Sequence, residues 1–220
     1  MHKRALVFAG GSFSETLLQR VTGLDEMDVW CADSGTVHAA SVALVPKVIV
    51  GDCDSVPNDT LKWAIEAGAE LKQHPKNKNS SDLELTLREL AANNYSEVIL
   101  LAASGGRTDH ALFNWMLALQ QDWPFSLTVI DETITAYLVH ATIAFQASLL
   151  VGTTVSLLSR DSVSGVNTAG LQYPLKDARL MGGSTLGLSN LVDGARPDSP
   201  TQVRVSVESG RLLVCVIENE

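Results

Sequence analysis

The stretch Lys47-Val48-Ile49-Val50-Gly51-Asp52-Cys53-Asp54-Ser55 is a short β-branched run that ends on a glycine and two aspartates. A run of this length and composition predicts a buried strand, and the polar residues at its carboxyl end predict the ligand edge of an open α/β sheet. In an extended segment residues two apart face the same way, so Asp52 and Asp54 converge while Cys53 points back into the protein. Two adjacent carboxylates repel each other unless a cation lies between them. Hard oxygen ligands of this kind suit magnesium, which takes its remaining ligands from water and phosphate. The alternative is a turn whose aspartates only cap backbone groups.

Outward from this strand, short β-rich runs alternate with amphipathic stretches, the pattern of βαβ units and a parallel sheet. Strands are predicted at 4–9, 28–32, 47–50, 97–102 and 126–130, and helices at 15–21, 36–42, 58–67, 82–93 and 110–121. In the fourth helix Leu83, Leu87, Leu90 and Ala91 recur at helical spacing, with Ser81 and Glu84 as a capping box. From about Thr133 the helical pattern stops. Apolar runs at 133–139, 142–149, 154–158, 187–192, 202–208 and 211–217 follow, separated by turn residues. Ser209-Gly210 reads as a hairpin between the last two. The expectation is an α/β protein: a Rossmann-like parallel sheet with flanking helices over 1–131, and an antiparallel β-sandwich over 132–220.

Other turns fall where predicted strands hand over to helices. Gly10-Gly11-Ser12 follows the first strand as either a phosphate-cradling turn or a plain connection. Asp33-Ser34-Gly35 follows the second, as a ligand turn or a helix cap. Gly105-Gly106-Arg107-Thr108-Asp109-His110 follows the strand at 97–102. There the glycines permit close backbone approach, Arg107 offers a fork to phosphate oxygens, and Asp109 offers a metal ligand, a base or a cap. Asn114 lies one turn further along. Asp82 and Glu84 open the fourth helix, where negative charge is favoured whatever the function.

Bulk properties narrow the partners. The 220 residues are 45% hydrophobic and 19% charged, the balance of a folded chain. With 25 acidic against 16 basic residues the formal charge is −9, which repels a nucleic-acid backbone. An acidic protein still binds phosphates when metal ions stand between the two sets of oxygens. Cys31, Cys53 and Cys215 lack a metal-finger spacing and are expected reduced. Met1-His2-Lys3-Arg4 leads straight into a strand without an apolar signal segment, so a cytoplasmic location is expected. The stretch 133–159 has no Asp, Glu, Lys or Arg, yet His140, Gln146 and Gly152 break it, so it reads as paired strands rather than a membrane span.

The ordered motifs Gly51-Asp52-Cys53-Asp54-Ser55, Ser81-Asp82-Leu83-Glu84 and Gly106-Arg107-Thr108-Asp109-His110 with Asn114 resemble those of the thiamin pyrophosphokinase family. Gly170-Leu171-Gln172-Tyr173-Pro174-Leu175 and Ser189-Asn190 fit as well. The resemblance implies an α/β nucleotide domain and a β-domain that helps hold thiamin, in a homodimer with active sites at the subunit interface. It implies Asp52, Asp54 and Asp82 as magnesium ligands, and Asp54, Asp82, Arg107 and Asp109 in the chemistry. For ATP it implies Gly10, Gly11, Asp33, Ser34, Gly35, Arg107, Thr108, Asp109, His110 and Asn114; for thiamin, Tyr173, Ser189 and Asn190. Asn79, Ser34 and Tyr173 depart from residues common in the family. The competing functions are a magnesium-dependent nucleotide hydrolase and a non-catalytic nucleotide or thiamin sensor.

Overall fold

The structure, a computed structural model, describes residues 2–197 and 199–217. The chain divides into two compact units, 1–117 with 123–131, and 118–122 with 132–220. No helix among the described residues is long and apolar enough to cross a membrane.

The first unit holds six parallel strands: β1 (Lys3–Phe8), β2 (Met27–Ala32), β3 (Val48–Gly51), β4 (Glu70–Gln73), β5 (Tyr95–Leu101) and β6 (Ser126–Ile130). They pair in the order β6-β5-β1-β2-β3-β4. Helices α1 (Gly35–Ser41), α2 (Asn58–Glu66), α3 (Asp82–Ala92) and α4 (Thr108–Ala118) alternate with them. A sheet of this kind is covered on both faces, which is why its strands read as continuous apolar runs. Leu6, Phe8, Cys31, Ile49 and Leu101 form one core with Ala39 and Ala64 of the helices. Fully burying a side chain the size of leucine is worth about 1.5–3 kcal/mol, so this core fixes the unit. Register at the β1/β5 seam is reinforced by Arg4, whose Nε and Nη2 each donate to Glu97 at 2.9 Å.

Three elements of this unit depart from expectation, one of them the short 3-10 turn Leu24–Glu26, which no helical pattern announced. Residues 15–20 form a 3-10 helix, Glu15–Arg20, capped by Ser14, instead of an α-helix. Strand β4 was not anticipated, because Glu-Leu-Lys-Gln at the sheet edge carries charge that blunts further pairing and leaves little apolar signal.

The second unit contains β7 (Ile134–His140), β8 (Phe145–Leu150), β9 (Thr154–Leu158), β10 (Val163–Ala169), β11 (Ala178–Leu180), β12 (Asn190–Leu191), β13 (Pro200–Ser206) and β14 (Arg211–Ile217). All pair antiparallel, as β12-β9-β14-β7 and as β11-β10-β13-β8. Val203 and Val205 from one sheet and Leu212, Val214 and Val216 from the other share a single core, which makes the unit a sandwich. The hairpin expected at Ser209-Gly210 is therefore corrected: β13 and β14 lie in different sheets. The link between them is pinned by Ser164, whose carbonyl accepts from Glu208 N at 3.1 Å and Ser209 N at 3.2 Å. The run 187–192 forms a strand only at Asn190–Leu191. Cys31, Cys53 and Cys215 are free and buried.

Candidate active site

Because the sheet is parallel, the turns after β1, β2, β3 and β5 leave from one edge. The strand order reverses between β1 and β5, where open α/β sheets form a ligand crevice. There Gly11 N donates to Ala102 O at 2.9 Å and Ser12 N to Ser104 O at 2.6 Å. A Cβ on Gly11 would lie 2.0 Å from Ser104 O, so glycine is demanded by the facing backbone before any ligand is considered. A cavity of about 280 Å³ opens at this point, and Gly10, Gly11, Asp33, Ser34, Asp82, Arg107, His110 and Asn114 line it with Gly105 and Gly106. Gly35, Thr108 and Asp109 are not part of its lining among the described residues. Gly35 is instead packed against β1, where a Cβ would sit 2.1 Å from Phe8 O.

The carboxylates gather beside this cavity. Oxygens of Asp33, Asp52 and Asp54 lie within 4.8 Å of one another. Asp52 and Asp54 do converge, but by a turn and not by extended alternation. The strand ends at Gly51, Cys53 takes φ +59°, and Asp54 N donates to Asp52 Oδ1 at 3.2 Å. Cys53 is buried in the core, and burial pushes its thiol up to about 11. Asp33 joins the cluster because β2 and β3 end side by side: Ala32 is in register with Val50, and Asp33 N donates to Val50 O at 2.9 Å. That adjacency was the signal available in the sequence, two neighbouring strands each followed by aspartate.

Asp82 stands next to the trio. A Cβ on Gly51 would lie 3.0 Å from Asp82 Oδ1 and 3.2 Å from Asp33 Cβ, so the glycine leaves room for both acids. Ser81 caps α3 by accepting from Glu84 N at 3.2 Å, while the Glu84 carboxylate pairs with Arg88 at 2.6 Å. Two lysines to which the sequence reading gave no role complete the cluster. Lys76 pairs with Asp54, and Lys78 Nζ lies 2.9 Å from Asp82 Oδ1 and 4.0 Å from Asp52 Oδ2. Burial, with Asp82 and Asp52 nearby, raises the Asp33 carboxyl above its usual range, and its buried Oδ1 lacks a hydrogen-bond partner among the described residues. An orphaned oxygen among all-oxygen donors fits a hard divalent cation.

At the cavity rim Arg107 donates to Asp109 through Nε at 3.1 Å and Nη2 at 2.6 Å. This fork holds the Asp109 carboxyl at about 2. Asn114 Nδ2 donates to Ala103 O at 2.9 Å, tying α4 to the turn after β5.

In the second unit Tyr173 is 66% exposed, which excludes a core role for its ring. Asn190 grips the backbone of Tyr173 as another peptide would: its Oδ1 accepts from Tyr173 N at 3.1 Å, and its Nδ2 donates to Tyr173 O at 2.8 Å. Ser189, at φ +57°, donates its N–H to Ser156 Oγ at 2.9 Å. Tyr173 and Asn190 thus form one local assembly, with Ser189 next to it in the chain and tied to Ser156.

A parallel sheet with a carboxylate cluster and a glycine-lined crevice at its carboxyl edge defines an α/β domain suited to phosphates. The chain belongs to the thiamin pyrophosphokinase family: the pattern of its catalytic domain matches residues 25–127, and that of its vitamin B1 binding domain matches residues 140–212. A thiamine pyrophosphokinase of Bacillus subtilis is 31% identical over 114 residues, 50% of this chain and 52% of that protein. Thiamine pyrophosphokinase 1 of Arabidopsis thaliana is 26% identical over 181 residues, 78% of this chain and 65% of that protein. The matched segments thus span about half to two thirds of these relatives. A crystal structure of thiamine pyrophosphokinase from Bacillus subtilis shares the fold at TM-score 0.80 and 20% identity, covering 99% of this chain and 100% of that one.

Proposed function

We propose that this protein is a thiamin pyrophosphokinase: it transfers the pyrophosphoryl group of MgATP to the hydroxyethyl oxygen of thiamin, giving thiamin diphosphate and AMP. The observation that carries this reading is the grouping of Asp33, Asp52 and Asp54 within 4.8 Å beside a glycine-lined cavity, in a chain that also has a vitamin B1 binding domain. Asp33, Asp52 and Asp54, with Asp82 adjoining, would hold magnesium. When bound, the ion neutralises charge on the phosphates. Gly10 and the glycines before Arg107 give the phosphates backbone N–H groups, while Gly11, whose own N–H is taken by Ala102 O, forms the close wall of the crevice, and Arg107, oriented by Asp109, presents its guanidinium to phosphate oxygens.

Asp109 at about 2 is a weak proton acceptor, and Lys76 and Ser55 hold Asp54 below its usual range as well. Positioning and charge neutralisation, more than base strength, then carry the transfer. Tyr173 offers its exposed face to the cationic thiazolium, and Asn190 serves by fixing Tyr173. The reading further places the protein in the cytoplasm with its co-substrates, as a homodimer with shared sites. Exposed apolar side chains in each unit support association, among them Phe113, 70% exposed on α4, and Leu188. Incubation with ATP, Mg²⁺ and thiamin, followed by product identification, tests the activity. AMP with thiamin diphosphate is expected; free phosphate or pyrophosphate with unmodified thiamin would make it a hydrolase, and no turnover would make it a sensor.

A further inference from the structure

Lys78 is set unlike the other lysines near the site. Its side chain is only 15% exposed, although lysine is seldom buried without a partner, and its ammonium lies between Asp82 at 2.9 Å and Asp52 at 4.0 Å. Lys76, by contrast, pairs with Asp54 and is 81% exposed. Lys78 precedes the start of α3, so the pair is not a helical-face contact: the segment from β4 to α3 folds back and lays the ammonium on the carboxylates. Asp82 also lines the cavity, so the ammonium rests one side chain away from the space proposed for phosphates.

We propose that Lys78 is a tethered cation that neutralises the Asp52–Asp82 pair before metal arrives, competes with divalent ions for those oxygens, and turns to the nucleotide's phosphates once metal and nucleotide bind together. The inference rests on the carboxylate cluster being the magnesium site. An ammonium and a divalent ion cannot both sit against Asp52 without mutual repulsion. The flexible four-carbon stem of lysine lets its point charge move to a nearby phosphate, where Mg²⁺ and ammonium then share an anion instead of a carboxylate. Lys78 is in this sense one charge with two partners used in turn.

The consequence is an opposition of signs that a purely structural lysine does not produce. With Mn²⁺ as the probe, titrated into nucleotide-free protein and followed by the EPR signal of the free ion, K78Q should bind at least about threefold tighter than wild type, and K78R should match wild type. In steady-state assays K78Q should raise KM for MgATP by about tenfold or more with a smaller change in kcat, since the lost contact is to bound phosphate. Equal or weaker Mn²⁺ binding by K78Q, or an unchanged KM, overturns the proposal. If Asp54→Asn abolishes Mn²⁺ binding while K78Q leaves it unaltered, Lys78 alone is misread; if wild type and Asp54→Asn bind Mn²⁺ equally poorly, the metal site itself is misread. A measurement on the wild-type sequence guards against misfolding of K78Q. After reductive ¹³C-methylation, the Lys78 signal, assigned by its loss in K78R, should shift on adding Mg²⁺ alone, and a stationary signal overturns the proposal.

Discussion

Burial and the nearby Asp82 and Asp52 lift the Asp33 carboxyl above its usual range, whereas Lys76 and Ser55 pull the Asp54 carboxyl below it. The repulsion in the cluster therefore rests on Asp33, and neutralising Asp54 brings no relief. Asp54→Asn should nearly abolish transfer at saturating magnesium with little change in Tm. Near-normal turnover would remove Asp54 from the metal set. Asp33→Asn should raise the Tm of the metal-free protein by up to about 3 °C near pH 7, discounted for the water that reaches the group. The sign follows from linkage: a carboxyl raised in the folded state favours folding when protonated, and that contribution is lost as pH rises through the folded value. The gain from Asp33→Asn should thus be absent in acid and full at neutral pH, and thermal scans at several pH values check it.

Asp109 behaves in the opposite way. Held at about 2 by Arg107, it stays charged through any working range, and the pair weakens only as pH falls toward that value. Asp109→Asn should lower kcat by freeing Arg107 yet leave the midpoint of the acid limb of the pH–rate profile where it was. A displaced midpoint would show that Asp109 titrates during turnover.

Among the elements, the Tyr173 turn and the short strand carrying Asn190 act as one piece through two side-chain hydrogen bonds. Tyr173→Ala should weaken thiamin binding by about 0.5–2 kcal/mol, leave ATP binding unchanged and barely alter Tm, since the ring is exposed. Asn190→Ala should reduce thiamin affinity and also lower Tm, because three side-chain bonds, two with Tyr173 and one from Leu191 N, worth about 0.5–1.5 kcal/mol each are lost. Equal Tm in the two variants would deny the clamp. The same contrast shows what was legible in the sequence. Ser189-Asn190 was recognisable as a motif, but that Asn190 works through Tyr173 depends on a pairing 17 residues apart. The strands at 126–130, 154–158 and 211–217 stood out because β-branched runs announce themselves. By contrast β10, Val-Ser-Gly-Val-Asn-Thr-Ala, was hidden by the glycine and asparagine within it. Asp33 was read as a ligand turn or a cap and not as a cluster member, although an aspartate after each of two neighbouring strands was legible, whereas Lys78 was missed because its place is set by a returning loop, which a linear pattern does not contain.

For the whole molecule, the proposed shared site makes a complementation prediction. Mixing Asp54→Asn subunits with Asn190→Ala subunits would give each heterodimer one site with both halves intact. If exchange is random, half the dimers are mixed and activity should recover to roughly a quarter of wild type. No recovery, with exchange verified by mass spectrometry, would confine each site to a single subunit.

The place of β1 between β2 and β5 has a consequence for the chain as it is made. Lys3 is in register with Tyr95, so one side of β1 has its partner early and the other side waits for a strand encoded much later. At a synthesis rate of about 5–20 residues per second, the interval is roughly 5–20 seconds. Throughout it the nascent chain presents an open hydrogen-bonding edge on a strand whose last four residues, Ala5 to Phe8, are destined for burial, an invitation to pair with a neighbour on the same polysome. Lys3 and Arg4, at the start of that strand, are the charges best placed to keep such neighbours apart until Glu97 arrives.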